Sequence, residues 1–242
     1  MKERFLRHYI IKEIGKQGQE NISKGKVLVV GAGGLGSPAI IYLAANGIGK
    51  LGIADYDTVD ITNIHRQIIH YKDDLKRRKT ESAIDKIKKI NEKVELEIYN
   101  FNITDNNSEE IFKDYDFIID ASDNIKTKLL INDTCVKLCI PFNYSGINSF
   151  FGSSMTVVPG KTACLRCVFT NINEEIEKET GVFGPVPGVL GTLQAAEALK
   201  YVGKFGNLLT DKMLTIDVFH MEFGTINVLK SDKCICKNSL EV

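Results

Sequence analysis

The sequence predicts an α/β fold: a doubly wound, mostly parallel sheet that continues into an antiparallel half, within a single composite domain. Three observations carry this. From Lys26 to Asp57 the chain reads KVLVV, GAGGLG, SPAIIYLAANG and KLGIADYD, which is strand, glycine turn, helix and strand in one unit. After its first residue KVLVV is wholly apolar, as a parallel strand covered on both faces should be. Past Gly146 the pattern changes to FFGSSMTVV, KMLTIDVF and EFGTINVL, three strand-like runs with one clear helix among them, roughly Val189 to Val202.

The remaining elements follow in order. Residues 1–24, about one-tenth of the chain, are read as an N-terminal helical segment. Thr80 to Ile90 places Ala83, Ile84, Ile87 and Ile90 at helical spacing, and VELEIYNFNI after it alternates like a strand. DFIIDASDN is a short buried strand with its loop, Ile125 to Leu138 a helix, and IPFNYSG another strand. Residues 25–146 thus form a nucleotide-binding half and residues 147–242 an antiparallel half, with no low-complexity linker between them. The acidic stretch NINEEIEKETG, Asn171 to Gly181, reads as a surface loop.

Composition narrows the function. With 242 residues, 43% apolar and 26% charged, the chain can bury a substantial core and is not a disordered sequence. Lys plus Arg and Asp plus Glu both number 31, so no global field draws in nucleic acid or an anionic membrane. Six cysteines are too few for a disulfide scaffold, and MKERFLRHYIIKEIG lacks a signal-peptide layout, which predicts a reducing cytoplasm. Val27 to Gly49 runs 23 residues without a charge, long enough to span a bilayer, yet it holds six glycines and Pro38 and divides into a strand and a helix.

Gly31, Gly33 and Gly36 spell G-x-G-x-x-G between a strand and a helix, with Asp55 nineteen residues beyond Gly36. This is a Rossmann-like phosphate turn: the glycines let backbone N–H groups approach an anion, and Asp55 can accept from ribose hydroxyls. A dinucleotide and ATP fit it equally. In DYDTVDITNIHRQ, Asn63 and Arg66 follow the acid and Lys79 comes thirteen residues after Arg66. Cations there suit a triphosphate attacked at its α-phosphorus and have no evident use in hydride transfer, although singly each is more often a solvated surface charge. Asp120 and Asp123 in IIDASDN stand where open α/β sheets place ligands; Asp123 is the better magnesium ligand, and Asp120 equally ends a strand. His65 and His70 read as surface or packing residues.

Cys164-Leu-Arg-Cys167 and Cys234-Ile-Cys236 form two separated pairs that suit one tetrahedral zinc site, with reduced structural thiols as the alternative. Cys135 and Cys139 read as helix-packing residues.

In RFLRHYI, VLVVGAGGLGSP, DYDTVDITNIHRQ, KTESA, IIDASDN, CLRC, GPVPGVLGTLQAAEALK and the last cysteine pair, the chain resembles the ThiF/MoeB/HesA family, relatives of ubiquitin-activating enzyme, from Arg4 to Cys236. The resemblance implies a homodimer that binds ATP and magnesium and adenylates the C-terminal Gly-Gly carboxylate of a small ubiquitin-like sulfur carrier, ThiS-like or MoaD-like, in thiamine, molybdopterin or related biosynthesis. By position it implies that Gly34, Asn63, Arg66 and Lys79 meet phosphates, Asp55 the ribose, and Asp123 with Asn124 the magnesium. Arg7 corresponds to an arginine reaching the neighbouring subunit's site, and Cys164, Cys167, Cys234 and Cys236 to the zinc ligands.

Departures from the family pattern are Lys76 in place of a glycine, Lys128 in place of an arginine, a last cysteine pair one residue short, and no cysteine from Glu174 to Thr180. The last departure implies adenylation without a covalent thioester, with sulfur supplied by a separate sulfurtransferase. Rival expectations are adenylation of a peptide terminus or of a tRNA threonylcarbamoyl group, an NAD-dependent oxidoreductase, and a non-catalytic binding subunit. Charge neutrality argues against the tRNA version.

Overall fold

The computed structural model describes residues 4–170, 181–232 and 234–237. The first two helices, α1 (Leu6–Ile10) and α2 (Gly15–Ile22), precede a unit of β1 (Lys26–Val30), α3 (Gly36–Ala45) and β2 (Lys50–Ala54). Then come α4 (Lys79–Ile90), β3 (Glu95–Tyr99), α5 (Ser108–Phe112), β4 (Phe117–Asp120), α6 (Ile125–Leu138) and β5 (Phe142–Asn148). The distal part comprises β6 (Phe151–Val157), α7 (Leu165–Val168), α8 (Pro185–Gly203), β7 (Lys212–Asp217) and β8 (Glu222–Asn227).

All eight strands join in one sheet of order β3-β2-β1-β4-β5-β6-β7-β8. Pairings from β3 to β5 are parallel, and those from β5 to β8 are antiparallel. Successive residues of β1 point to opposite faces and enter two different cores. Val27 and Val29 pack with Leu43, Ile87 and Leu190 on one face, whereas Leu28 and Val30 pack with Phe112, Leu129 and Phe142 on the other. That double burial explains why KVLVV carries no alternation.

The helices start and stop by local chemistry. Pro38 sits in the first turn of α3, where a missing N–H costs nothing. Just past its end, Gly47 is left-handed (φ 76°) and lies against the Phe5 ring, where a Cβ would clash at 2.4 Å if Gly47 were any other residue. The Asn124 side chain caps α6 by accepting the Thr127 N–H at 2.9 Å. Pro185 opens α8, which therefore begins four residues before the helix expected from Val189. The short α5 and α7 carry too few residues to show a period and escape sequence reading.

One expectation is corrected. Cys135 is fully buried in α6, but Cys139 is not a packing residue: it is the left-handed C-cap (φ 57°) and is exposed. Phe151 is 54% exposed and every residue of β8 is exposed, whereas Met213 and Ile216 of β7 are buried in the core. The acidic loop at 171–180, with its segment lacking cysteine, lies outside the described residues. No helix among the described residues is long and apolar enough to cross a membrane.

Candidate active site at the strand ends

Strand order reverses between β2 and β4 on either side of β1, and the crevice beyond their C-terminal ends is where open α/β sheets bind ligands. The glycine turn occupies it. Gly31 is left-handed (φ 104°), and a Cβ there would stand 2.5 Å from the Ala121 carbonyl oxygen, so only glycine lets the loops after β1 and β4 meet. Gly36 admits no Cβ because the Gly31 carbonyl oxygen lies directly over it, which seats α3 on the turn. Gly33 faces open space apart from Gln67, and Gly34 packs on Pro187 and on the aliphatic stem of Arg66.

Among the described residues, the backbone N–H groups of Gly33, Gly34 and Leu35 find no protein acceptor. They converge at the N-terminus of a ten-residue helix, an arrangement that binds phosphate oxygens. The Ala32 N–H, by contrast, is taken by Asp55 Oδ2 at 2.8 Å, while Asp55 Oδ1 accepts from the Asp57 N–H at 2.8 Å. Asp55 is thereby fixed across the turn, with lone pairs left for hydroxyl donors.

Lys79 opens α4, where its positive charge works against the helix dipole, and it is only 6% exposed. Asp57 offsets both costs by accepting from Nζ at 2.9 Å. The reading of Lys79 as a solvated surface charge is therefore excluded. Arg66 is half-buried, and its Nη1 donates to the Thr62 carbonyl oxygen at 2.9 Å. Asn63 closes a capping box with Asp60, so the segment carrying both cationic and amide groups has a defined shape before any ligand arrives.

After β4 the two acids separate by environment. Asp120 is fully buried and is bound by Lys128 Nζ at 3.2 Å, by the Ser122 hydroxyl at 2.6 Å and by the Ser122 N–H at 3.1 Å. Lys128 also donates to the Ser145 carbonyl oxygen at 2.7 Å, which ties Asp120 to β5. Asp123 is exposed, its nearest partner being the Asn124 amide at 3.4 Å, which leaves its carboxylate open to a hard cation. Arg7 lies exposed on α1, and no contact joins it to these residues among the described ones.

Residues that sequence reading missed or undervalued sit directly behind the turn. Gln67 is buried beside Gly33 with its Oε1 unpartnered among the described residues. His70 is 1% exposed, contacts Ala32 and Ser82, and is held below its ordinary pKa chiefly by burial; its packing role stands, whereas His65 is exposed. Lys76, which the sequence resemblance reads as replacing a glycine, is left-handed at φ 68°, the conformation a glycine would take without strain.

Some distance away, the Sγ atoms of Cys164, Cys167, Cys234 and Cys236 lie within 4.8 Å of one another. The closest pairs are Cys164 with Cys234 at 3.3 Å and Cys167 with Cys236 at 3.5 Å. A tetrahedral zinc with bonds of about 2.3 Å separates its sulfurs by roughly 3.8 Å, so the four thiols fit that ion despite the shortened last pair. Burial pushes the Cys236 thiol up to about 12 and raises Cys164 as well. Around Cys167 burial acts the same way, but hydrogen bonds from the Ser231 and Cys164 backbone and from the Cys234 and Cys236 thiols together lower the thiol. Asn132 and Asp133 on α6 hold the first pair in place, accepting from the Leu165 N–H at 2.8 Å and from Arg166 at 2.7 Å.

The ThiF family model matches residues 5–238. The chain belongs to the ThiF family. A SAMP-activating enzyme E1 from Haloferax volcanii is 38% identical over 236 residues, covering 96% of this chain and 87% of that protein. A sulfur carrier protein adenylyltransferase from Thermus thermophilus is 35% identical over 241 residues, covering 96% and 89%. Longer relatives named adenylyltransferase and sulfurtransferase MOCS3 also match, and the chain spans 54–59% of their length. Among solved structures, E. coli MccB with ATP superposes with a TM-score of 0.86 at 26% identity, over 97% of this chain and 74% of that one. ThiF-family membership sets aside the oxidoreductase reading, for which the glycine turn alone had spoken.

Proposed function

We propose that this ThiF-family chain adenylates the C-terminal Gly-Gly carboxylate of a small ubiquitin-like sulfur carrier, ThiS-like or MoaD-like, using ATP. The observation that carries the reading is the set of acceptor-free N–H groups at Gly33, Gly34 and Leu35, flanked by Asp55, Arg66 and Lys79. That set matches a nucleotide whose phosphates lie on the turn and whose ribose reaches Asp55. Relatives at 35–38% identity carry carrier-activating names, against 26% for MccB, which favours a protein carrier over a peptide.

In this reading Gly31 and Gly36 shape the turn, and Gly33 and Gly34 bring backbone to the phosphates. Asn63, Arg66 and Lys79 neutralise the triphosphate as the carboxylate approaches. One carboxylate oxygen bonds to the α-phosphorus, the bond from that phosphorus to the bridging oxygen breaks, and pyrophosphate leaves with the electron pair. The carrier acyl-adenylate remains. No general base is required, since the nucleophile is ionised near pH 7.

Asp123 with Asn124 would hold magnesium, which supplies further charge neutralisation on the phosphates. Arg7 acts on a partner's site in a homodimer, and the four cysteines hold a structural zinc. Sulfur comes from a separate sulfurtransferase. Six cysteines outside any disulfide suit a cytoplasmic protein.

The test is carrier-dependent exchange of labelled pyrophosphate into ATP. Exchange with a Gly-Gly carrier and none with its terminal-amide form is expected. Absence of exchange with any Gly-Gly carrier, in a preparation that binds ATP, overturns the assignment.

A further inference from the structure

Behind the glycine turn runs a buried chain of hydrogen bonds that the reaction itself does not use. Lys86 Nζ, 9% exposed, donates to Ser82 Oγ at 3.1 Å and pairs with Asp74. Ser82 Oγ lies 2.8 Å from His70 Nδ1, and His70 Nε2 lies 2.9 Å from the Ala32 carbonyl oxygen. Ser82 and His70 are 0% and 1% exposed. Every partner in the chain is thus fixed by the protein, and its last acceptor belongs to the phosphate turn.

The proton positions follow from what each atom can do. A carbonyl oxygen only accepts, so Nε2 must carry the ring proton. A neutral imidazole then offers a lone pair at Nδ1, which takes the proton of the Ser82 hydroxyl; Lys86, an obligate donor, occupies a lone pair of the same oxygen. The chain therefore donates in one direction, from ammonium to hydroxyl to imidazole to carbonyl, and each bond polarises the next.

The consequence lies in the peptide unit joining Ala32 to Gly33. A trans peptide is planar, with its C=O and N–H antiparallel. Drawing the Ala32 carbonyl towards His70 turns the Gly33 N–H the opposite way, into the crevice where it has no protein acceptor. On the preceding peptide Asp55 holds the Ala32 N–H. The turn is clamped from both sides, so the direction of its phosphate-binding donor is set before ligand arrives.

We infer that His70 is a positioning residue for nucleotide binding: as the Nε2–H tautomer, fixed by Lys86 through Ser82, it aims the Gly33 N–H at the phosphates. This rests on the nucleotide reading of the site but adds a role outside the contacting residues.

The experiment compares wild type with His70→Gln and His70→Asn by calorimetric titration of ATP without carrier, and reads the histidine tautomer by two-bond ¹H–¹⁵N correlation of the free protein. A glutamine can place its amide N–H near the Nε2 position and keep the Ala32 bond, whereas asparagine reaches only towards Ser82. ATP affinity within about threefold of wild type for His70→Gln, a loss of at least tenfold for His70→Asn, and a neutral Nε2–H tautomer at pH 7 are expected. Equal affinity in wild type and His70→Asn, or an Nδ1–H tautomer, overturns the inference. If either variant fails to fold, Ser82→Ala decides: it removes the donor to Nδ1 while the Ala32 carbonyl keeps the proton on Nε2, so an unchanged tautomer with ATP binding weakened at least about threefold is expected, and unchanged ATP affinity counts against. Wild-type protein that binds no ATP refutes the nucleotide reading instead, and the tautomer measurement remains valid in that case.

Discussion

At the parallel end of the sheet, three of the charged side chains around the crevice already have protein partners: Lys79 has Asp57, Lys128 has Asp120, and Asp55 spans two N–H groups. The antiparallel end is built otherwise. There β8 exposes all its residues, and Phe219, Phe223 and Ile226 are each more than half exposed. Phe150 gathers Phe183 and Phe219 around it, with ring centroids 5.2 Å apart in both pairs. The difference matches ligand size. Donors that bind a small anion are aimed in advance, whereas a protein carrier of the kind proposed above would be held by apolar area of this sort.

The contrast breaks most readily at its rigid end. Lys128→Met leaves Asp120 buried without its cation and is expected to lower stability by about 3–5 kcal/mol, measured by urea unfolding. A loss under 1 kcal/mol would mean that the polar frame around the crevice is less fixed than its geometry implies. Arg66→Ala is expected to slow pyrophosphate exchange by about 100-fold or more with little change in unfolding, because the stem is only half-buried. Retained exchange would remove Arg66 from the site.

Cys236→Ser tests the tie between the two ends. Zinc content is expected to fall from one ion per chain to none, with the thermal midpoint dropping by more than about 5 °C. Unchanged metal content would show that three thiols suffice, and no zinc in the wild type would refute the site.

Acid should act on the parallel end through His70. Burial chiefly holds the His70 pKa down; the Ala32 carbonyl opposes this, Lys79 lowers it further, and Asp55 and Asp74 raise it. The unfolded histidine takes a proton near pH 6.5, so the stability due to the neutral buried ring is complete above that pH. It is lost as pH falls from there through the folded pKa. The slope of unfolding free energy between pH 7 and 5 is expected to flatten in His70→Gln, and an unchanged slope would contradict it.

The smallest effect is expected at Lys76. Lys76→Gly relieves a left-handed residue (φ 68°) but adds backbone freedom to the unfolded chain, so the two contributions nearly offset within about 1 kcal/mol.

How much of this was legible in advance depended on whether a signal was local. KVLVVGAGGLG and the nineteen-residue spacing to Asp55 lie within one supersecondary unit, so both the turn and its acid could be read from residue order. The helix Ile125–Leu138 was readable to the residue because its cap is encoded at its own first position, Asn124. His70, Gln67 and Asp57 were not, because their meaning comes from contacts with Ala32, Gly33 and Lys79 that no periodicity encodes. The N-terminal start of α8 was hidden by prolines and glycines that read as loop but serve as a first turn. The exposure of Phe151 and β8 was illegible for a different reason: an apolar alternation looks the same whether its partner is the chain's own core or another molecule.

One strand joins the two ends. β5 pairs in parallel with β4 and antiparallel with β6, so neither half can turn without the other. The sheet therefore acts as a ruler. At about 4.8 Å per strand, the four spacings from β8 to β4 put the sheet's exposed edge roughly 19 Å from the strand that ends at Asp120. An extended peptide covers that span in about six residues. Any chain terminus that reaches the crevice from that edge thus needs an extended segment of at least that length.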